Sequence, residues 1–261
     1  MKVNRIVVWL ILFISVWFTS FRLPPVEFGD GHIKTIIIDP GHGGKDPGAL
    51  GKTYREKDIA LKIGLELRNL IRRYAPDLRV VLTRGDDTFV ELHQRGKLAQ
   101  AYNGDFFVSI HCDASVTKTA FGSSTYILGV NRGQERYRSY IRENQSVLFE
   151  ENYEQMYDGF DPNSPESYIM FRVMRNVFRQ ESMYLADKVQ KNVETRLQRK
   201  NRGVKQGPFI VLWASAMPAI LCETGFITNT TDEKFLASET GQVFMASAIY
   251  RAIRDYNHEL E

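Results

Sequence analysis

The stretch from Ile36 to Gly44 constrains the fold more than any other part of the chain. It opens with three β-branched apolar residues, which predict a buried strand, and Pro40-Gly41 ends that strand abruptly. His42 follows between glycines, at the strand end where α/β sheets bind their ligands. A second apolar run, Phe106–His111, also ends in a histidine. The sequence therefore predicts two imidazoles at one sheet edge, a platform for a metal ion.

Strand and helix patterns alternate through the first half of the chain. The strands are predicted at Ile33–Asp39, Leu78–Thr83 and Asp105–His111, and the helices at about Tyr54–Tyr74 and Val90–Tyr102. This alternation favours an α/β fold, a single domain with a mostly parallel twisted sheet flanked by helices. Further elements are predicted as a short strand at Thr125–Leu128, strands at Phe209–Leu212 and Ala219–Thr224, and a closing helix within Phe235–Tyr256.

A helical insertion is predicted at about residues 117–181, where the sequence becomes polar. A charged helix over Arg132–Tyr157 precedes a loop rich in Pro, Asp and Gly, and a second helix over Tyr168–Leu197 leads back to the sheet. The first of these helices is either solvated or covers the sheet edge. The residue pattern leaves both interpretations open.

The amino terminus has the pattern of a secretory signal. Lys2 and Arg5 precede 13 uncharged residues, Ile6–Phe18, which is shorter than the roughly 20 residues of a membrane-spanning helix. We expect residues 1–28 to be a signal peptide or an N-terminal anchor with a short linker, and residues 29–261 to be the catalytic domain. The expected location is outside the cytoplasm, in the periplasm or cell envelope, with membrane contact only through this segment if it stays uncleaved.

Composition narrows the function classes. A chain of 261 residues that is 43% hydrophobic can bury one sizeable core. Its net charge of +3 is too small to indicate nucleic-acid binding. The two cysteines, Cys112 and Cys222, stand next to His111 and Glu223. Strand alternation predicts that both face the apolar layer behind the sheet. We favour buried free thiols, and a disulfide between them is the alternative.

Zinc in hydrolytic sites commonly takes two histidines and one carboxylate. His42 and His111 end strands, whereas His32, His93 and His258 are expected to be solvated. Glu56, fourteen residues after His42, is the best third ligand. Its rivals are Asp46 and Asp58, and a capping box over Thr53–Glu56 explains Glu56 equally well.

Glu223 is the other notable acid, because it lies in the apolar run Ala219–Phe226. A carboxylate there is costly unless it has a partner or a function, and burial would raise its pKa towards the range of a general base. A structural hydrogen-bond acceptor is the alternative.

A nucleotide hydrolase is excluded by the loop from Asp46 to Thr53. This loop differs from the phosphate-binding pattern at the first glycine, where Asp46 would repel phosphate, and Pro47 removes a backbone N–H.

Four motifs resemble those of the zinc-dependent N-acetylmuramoyl-L-alanine amidases, which cut bacterial cell wall. They occur in family order as Asp39–Ala49, Glu56-Lys57-Asp58, Ser109–Ala114 and Pro218–Asn229. The resemblance implies that His42, Glu56 and His111 bind Zn²⁺, that Glu223 is the catalytic carboxylate, and that peptidoglycan is the substrate. Asp113 departs from the Asn more common in the family. Arg84 and Arg95 fit a structural ion pair or substrate contact.

The resemblance also gives the insertion a role. Some cell-division members of the family carry an inserted helix that places a carboxylate on the zinc until an activator protein draws the helix away. The candidates are Glu135, Glu143, Glu150, Glu151 and Glu154, and we favour Glu143. Two alternative functions remain, a zinc peptidase acting on stem peptides and a non-catalytic wall-binding scaffold.

Overall fold

The apolar runs around His42 and His111 form the centre of a six-stranded sheet. A computed structural model describes residues 33–129, 137–169 and 177–259. The strands are β1 Thr35–Pro40, β2 Arg79–Leu82, β3 Phe106–Asp113, β4 Ser123–Leu128, β5 Asn201–Gly207 and β6 Ala219–Phe226. Their order is β2-β1-β3-β6-β4-β5, and all neighbours are parallel except β4 and β6. The predicted α/β class is confirmed.

Helices cover both faces of this sheet. They are α1 Glu56–Tyr74, α2 Leu92–Ala101, α3 Tyr137–Asn144, α4 Tyr153–Met156, α5 Arg179–Thr195, α6 Ile210–Ser215, α7 Thr230–Ala237 and α8 Glu239–His258, with 3₁₀ turns at Gln145–Phe149 and Pro165–Ile169. All described residues belong to one unit, His32–Glu261. No described helix is both long and apolar enough to cross a membrane. The predicted signal segment, residues 1–28, lies outside the described residues.

Alternation along β3 divides the core into two layers. Phe106, Val108, Ile110 and Cys112 face one layer, together with α1, α5 and α8, whereas Phe107 faces the other. Cys112 and Cys222 are both free, buried and part of the first layer, which confirms that prediction. His111 therefore points to the second face.

The insertion lies on this second face and is not a solvated helix. Tyr140, Val147, Phe160 and Tyr168 are buried there in the same apolar cluster as Phe209. Three of them join Phe209 in edge-to-face ring pairs with centroids 5.0–6.4 Å apart. The described part of the insertion is thus fixed to the sheet by its own apolar side chains.

Three predicted elements were wrong in type or extent. Phe209–Leu212 is not a strand but the start of α6, and the polar edge strand β5 was not predicted. The single helix over Arg132–Tyr157 is broken, within its described part, into α3, a 3₁₀ turn and α4, and Asn152, which precedes α4, adopts a left-handed conformation. The returning helix begins only at Arg179. The predicted closing helix is present as α8, and the Ser238 hydroxyl caps its start.

Candidate metal centre

The loop after β1 brings His42 against His111. The Gly41 N–H donates to the Ile110 carbonyl (3.0 Å), and a Cβ atom at Gly41 would lie 2.3 Å from Cε1 of His111. Only glycine permits this approach. His42 itself has φ of 60°, a left-handed conformation that costs energy in a non-glycine residue and occurs most often at functional sites.

Four buried side chains converge at this point. Nε2 of His42 and Nδ1 of His111 lie 3.2 and 3.0 Å from Oε1 of Glu56, and 3.0 and 2.9 Å from Oε2 of Glu143. One ligand atom from each residue lies within 4.8 Å of every other. The structure therefore brings the three predicted metal ligands together, along with the favoured insertion carboxylate.

The carboxylate of Glu56 is held by backbone N–H groups. Ala49 donates to Oε2 (2.7 Å) and Cys112 donates to Oε1 (2.8 Å). Arg55 is the N-cap of α1 and makes no side-chain cap. The capping-box alternative for Glu56 is therefore wrong, and its rival Asp58 is not part of the cluster.

Asp46 orients the His42 ring instead of joining the cluster. Its Oδ2 lies 2.7 Å from Nδ1 of His42, which turns Nε2 towards Glu56. Ser146 of the insertion donates to the same oxygen (2.6 Å). A carboxylate behind a metal-binding histidine commonly fixes the ring and raises its basicity.

The donor set and the charge of the cluster fit a divalent cation. Burial opposes protonation of His42, but the charge of Glu56 and the contacts with Asp46 and Glu143 together hold the pKa of His42 well above its ordinary value. Burial opposes ionisation of Glu56, but the charge of His42 and the contacts with both imidazoles together lower the pKa of Glu56 to about 2. Among the described residues, buried Nε2 of His42 and Oε2 of Glu143 have no hydrogen-bond partner. The cluster offers two imidazoles and two carboxylates, and its charge favours a cation. This donor set suits Zn²⁺.

Glu223 lies beside this centre on the neighbouring strand. It is the register partner of His111, so both side chains project from the same face of the sheet. Its carboxylate is fully buried, and desolvation together with the negative charge of Asp113 raises the pKa of Glu223 well above its usual range. Oε2 of Glu223 has no hydrogen-bond partner among the described residues.

Helix α3 carries Arg142 into the cleft next to Glu143. Nη2 of Arg142 lies 2.7 Å from Oε1 of Glu143, 3.2 Å from Oδ1 of Asp113 and 3.5 Å from Oε1 of Glu223. Arg142 was not predicted, and only its position beside Glu143 in the sequence pointed to it.

Arg84 and Arg95 hold the loop after β1 in place through hydrogen bonds to its backbone carbonyls. Arg95 donates to the Asp39 carboxylate (2.7 Å) and to the carbonyl of His42 (2.7 Å). Arg84 donates to the carbonyls of Pro40 (2.9 Å) and Gly41 (2.7 Å). Both are buried, so their contacts are structural.

Among the other candidate carboxylates of the insertion, Glu150 lies in a second cluster. Its Oε1 accepts from the Leu92 N–H at the start of α2 (2.7 Å), and its Oε2 accepts from the hydroxyl of Tyr157 (2.9 Å) and lies 3.3 Å from Nδ1 of His93. His93 is therefore not simply solvated as predicted. Glu151 and Glu154 are exposed, and Glu135 lies outside the described residues.

Comparisons with known proteins identify the family of this chain. A family model described as N-acetylmuramoyl-L-alanine amidase matches residues 36–255. The chain is 34% identical over 249 residues to N-acetylmuramoyl-L-alanine amidase AmiC of Escherichia coli, covering 90% of this chain but only 57% of AmiC. Two solved structures are similar along their length. AmiC2 of Nostoc punctiforme has a TM-score of 0.63 at 30% identity, covering 88% of this chain and 98% of that one. The CwlD amidase of Clostridioides difficile, solved in complex with the GerS lipoprotein, has a TM-score of 0.63 at 29% identity, covering 87% and 99%. The chain belongs to the N-acetylmuramoyl-L-alanine amidase family.

Proposed function

We propose that this protein is a zinc-dependent hydrolase of peptidoglycan, held inactive in the observed conformation by its own insertion. It would cleave the amide bond between N-acetylmuramic acid and the L-alanine of the stem peptide. The single observation that carries this proposal is the convergence of His42, Glu56 and His111 at one point beside Glu223. Family membership supports the same reaction.

His42, Glu56 and His111 would hold the ion. Zn²⁺ bound there supplies Lewis-acid chemistry, which polarises the scissile carbonyl and makes water acidic near neutral pH. Asp46 keeps Nε2 of His42 turned towards the centre, and the N–H groups of Ala49 and Cys112 keep the Glu56 carboxylate in place. This chain's own residues therefore preorganise the ligand set before substrate enters.

Glu223 is suited to move the proton. Its raised pKa, caused first by desolvation, brings its affinity for a proton towards neutral pH, where one carboxylate can both accept and return it. It would accept a proton from the attacking water and pass it to the departing nitrogen of L-alanine. Its position opposite His111 on the adjacent strand supports this role.

Glu143 would suppress this reaction. In hydrolytic zinc sites three protein ligands leave one position open for water and substrate, and a fourth protein ligand closes it. Oε2 of Glu143 lies 2.9 Å from Nδ1 of His111, at the point where the other donors meet. An activator protein that moves α3 would open the site. CwlD was solved with a lipoprotein, which shows that a member of this family binds a protein partner.

The proposed location is outside the cytoplasm, in the periplasm or cell envelope, where peptidoglycan is found. The basic and apolar amino terminus, residues 1–28, supports export. Peptidoglycan and the activator are the proposed partners.

The test compares the R142A/E143A variant with R142A/E143A/E223Q, each purified as the full chain. We expect both to bind zinc and only the first to digest peptidoglycan sacculi. Mass spectrometry of the products should show stem peptides with a free L-alanine amino terminus and glycan strands without peptide. Products cut within the stem peptide would instead indicate the peptidase, and a protein without zinc or hydrolysis would favour the scaffold.

A further inference from the structure

Besides Glu143 of the insertion, the Arg142 guanidinium contacts acceptors that lie at the ends of β3 and β6. Its Nη1 donates to the Ala114 carbonyl (3.2 Å), and Nη1 and Nη2 both donate to Oδ1 of Asp113 (3.2 Å each). Glu223 completes the set, with Oε1 at 3.5 Å from Nη2. Two carboxylates and a carbonyl outside the insertion thus contact the guanidinium, in addition to the carboxylate of Glu143.

One hydrogen bond to the Asp113 carboxylate comes from outside the insertion. The Ala114 N–H donates to Oδ1 of Asp113 (2.8 Å) at the end of β3. The Asp113 side chain is buried, and the insertion supplies its other described partners, Arg142 and Ser139. When α3 leaves the cleft, Arg142 must leave with Glu143, because the two residues are adjacent. The Asp113 carboxylate and the Ala114 carbonyl are then free to bind a group of the substrate or product.

The Asp113 carboxylate and the Ala114 carbonyl suit a positively charged group with several N–H donors. The proposed reaction produces such a group beside Glu223. Water adds its oxygen to the carbonyl carbon, the carbon–nitrogen bond breaks, and both protons of the water end on the nitrogen. The products are a carboxylate on the muramic acid and a primary ammonium on L-alanine. Hydrogen bonds from an ammonium to a carboxylate are about twice as strong as neutral ones.

We propose that Asp113 and the carbonyl of Ala114 form the subsite for the amino group released from the stem peptide, and that Arg142 fills this subsite in the observed conformation. The inference rests on the proposed function, since that reaction supplies the ammonium. Asp113 is then a positioning residue for the leaving amine. An Asp, which only accepts when ionised, matches an ammonium better than an Asn does.

The test measures binding of two probes to full-chain variants by titration calorimetry. The probes are the dipeptide L-alanyl-γ-D-glutamate and its N-acetylated form, which lacks the ammonium. In the R142A/E143A variant we expect the free dipeptide to bind more tightly than the acetylated one. Adding D113N should weaken the free dipeptide roughly tenfold and leave the acetylated form unchanged. The E143A variant keeps Arg142 in the subsite. It should therefore bind the free dipeptide as weakly as the R142A/E143A/D113N variant does.

Zinc content and melting temperature of each variant separate this role from a structural one, and we expect D113N to leave both unchanged. The proposal is overturned if D113N weakens both probes equally, weakens neither, or if R142A/E143A binds neither. These readings do not depend on hydrolysis. Failure of the proposed function would instead appear as undigested sacculi or absent zinc.

Discussion

Oε2 of Glu143 lies 3.0 Å from Nε2 of His42, and neither buried atom has a hydrogen-bond partner among the described residues. Glu143 comes from the insertion and His42 from the loop after β1. Buried polar atoms are almost always paired, so two unpaired atoms aimed at each other indicate a shared cation. The contact therefore links the proposed metal centre to the proposed inhibition.

Replacing Glu143 by Ala should raise basal hydrolysis of sacculi while zinc stays bound, because His42, Glu56 and His111 remain. We expect an increase of roughly tenfold, smaller than in R142A/E143A, where the amine subsite is also cleared. Dye release from labelled sacculi measures the rate. Glu154→Ala, at an exposed position of the same insertion, is the control. An E143A rate equal to wild type, with zinc retained, would remove the inhibitory role of Glu143.

Replacing Asp46 by Asn should weaken zinc binding by about 10- to 100-fold, because the His42 ring loses the carboxylate at Nδ1. Competition with a chromophoric chelator measures the affinity. Asp58→Asn is the matched control, since Asp58 lies at the start of α1 but outside the cluster. Equal losses in both variants would show that Asp46 does not act through His42.

A methyl group at Gly41 should disrupt the centre. The added Cβ of Gly41→Ala would lie 2.3 Å from Cε1 of His111, so the ring or the loop must move. We expect loss of bound zinc and destabilisation of about 1–3 kcal/mol. Gly85→Ala is the control, because no atom lies within 4 Å of a Cβ there. The measurements are the melting temperature and the zinc content of the two variants. Equal values in both variants would show that the contact between Gly41 and His111 does not limit the residue at position 41.

Glu150 should make stability depend on pH. Burial raises the pKa of Glu150 above its ordinary value of 4.5, despite the hydrogen bonds from Leu92 and Tyr157. A raised pKa in the folded state means that the folded protein binds this proton more tightly than the unfolded chain. The resulting stabilisation is present at low pH and is lost as the pH rises through the folded-state value.

The melting temperature of wild type relative to Glu150→Gln should therefore fall as the pH rises above 4.5, because Glu150 loses its proton there and the amide cannot ionise. Exposed Glu154→Gln provides the control for a general effect of removing one charge. A difference between wild type and E150Q that rises with pH would show that the ionised carboxylate is stabilised, contrary to this prediction.

The strands that carry the candidate metal ligands were predicted most accurately from the sequence. The apolar runs of β1 and β3 are long enough to be read as strands, and the histidines at their ends meet as expected. The short apolar run Phe209–Leu212 could be a strand or a buried helix by pattern alone, and the structure makes it α6. The edge strand β5 has only intermediate burial for most of its length, so it lacks the apolar alternation by which strands are recognised.

The roles of Asp46 and Arg142 could not be predicted from the residues next to them in the sequence. Asp46 was a rival ligand in the sequence, and only the ring orientation of His42 shows that it lies behind the centre. Arg142 has no motif of its own. It reaches Asp113 and Glu223 because buried residues such as Tyr140 and Val147 fix the insertion over the sheet. Such packing is a property of the folded chain.

The central claim is that His42, Glu56 and His111 hold one zinc ion, and zinc content tests it most directly. Elemental analysis of the purified wild type, Glu223→Gln and His111→Ala should give about one zinc per chain in the first two and a large loss in the third. Wild-type protein without zinc, or His111→Ala with full zinc content, would contradict the account.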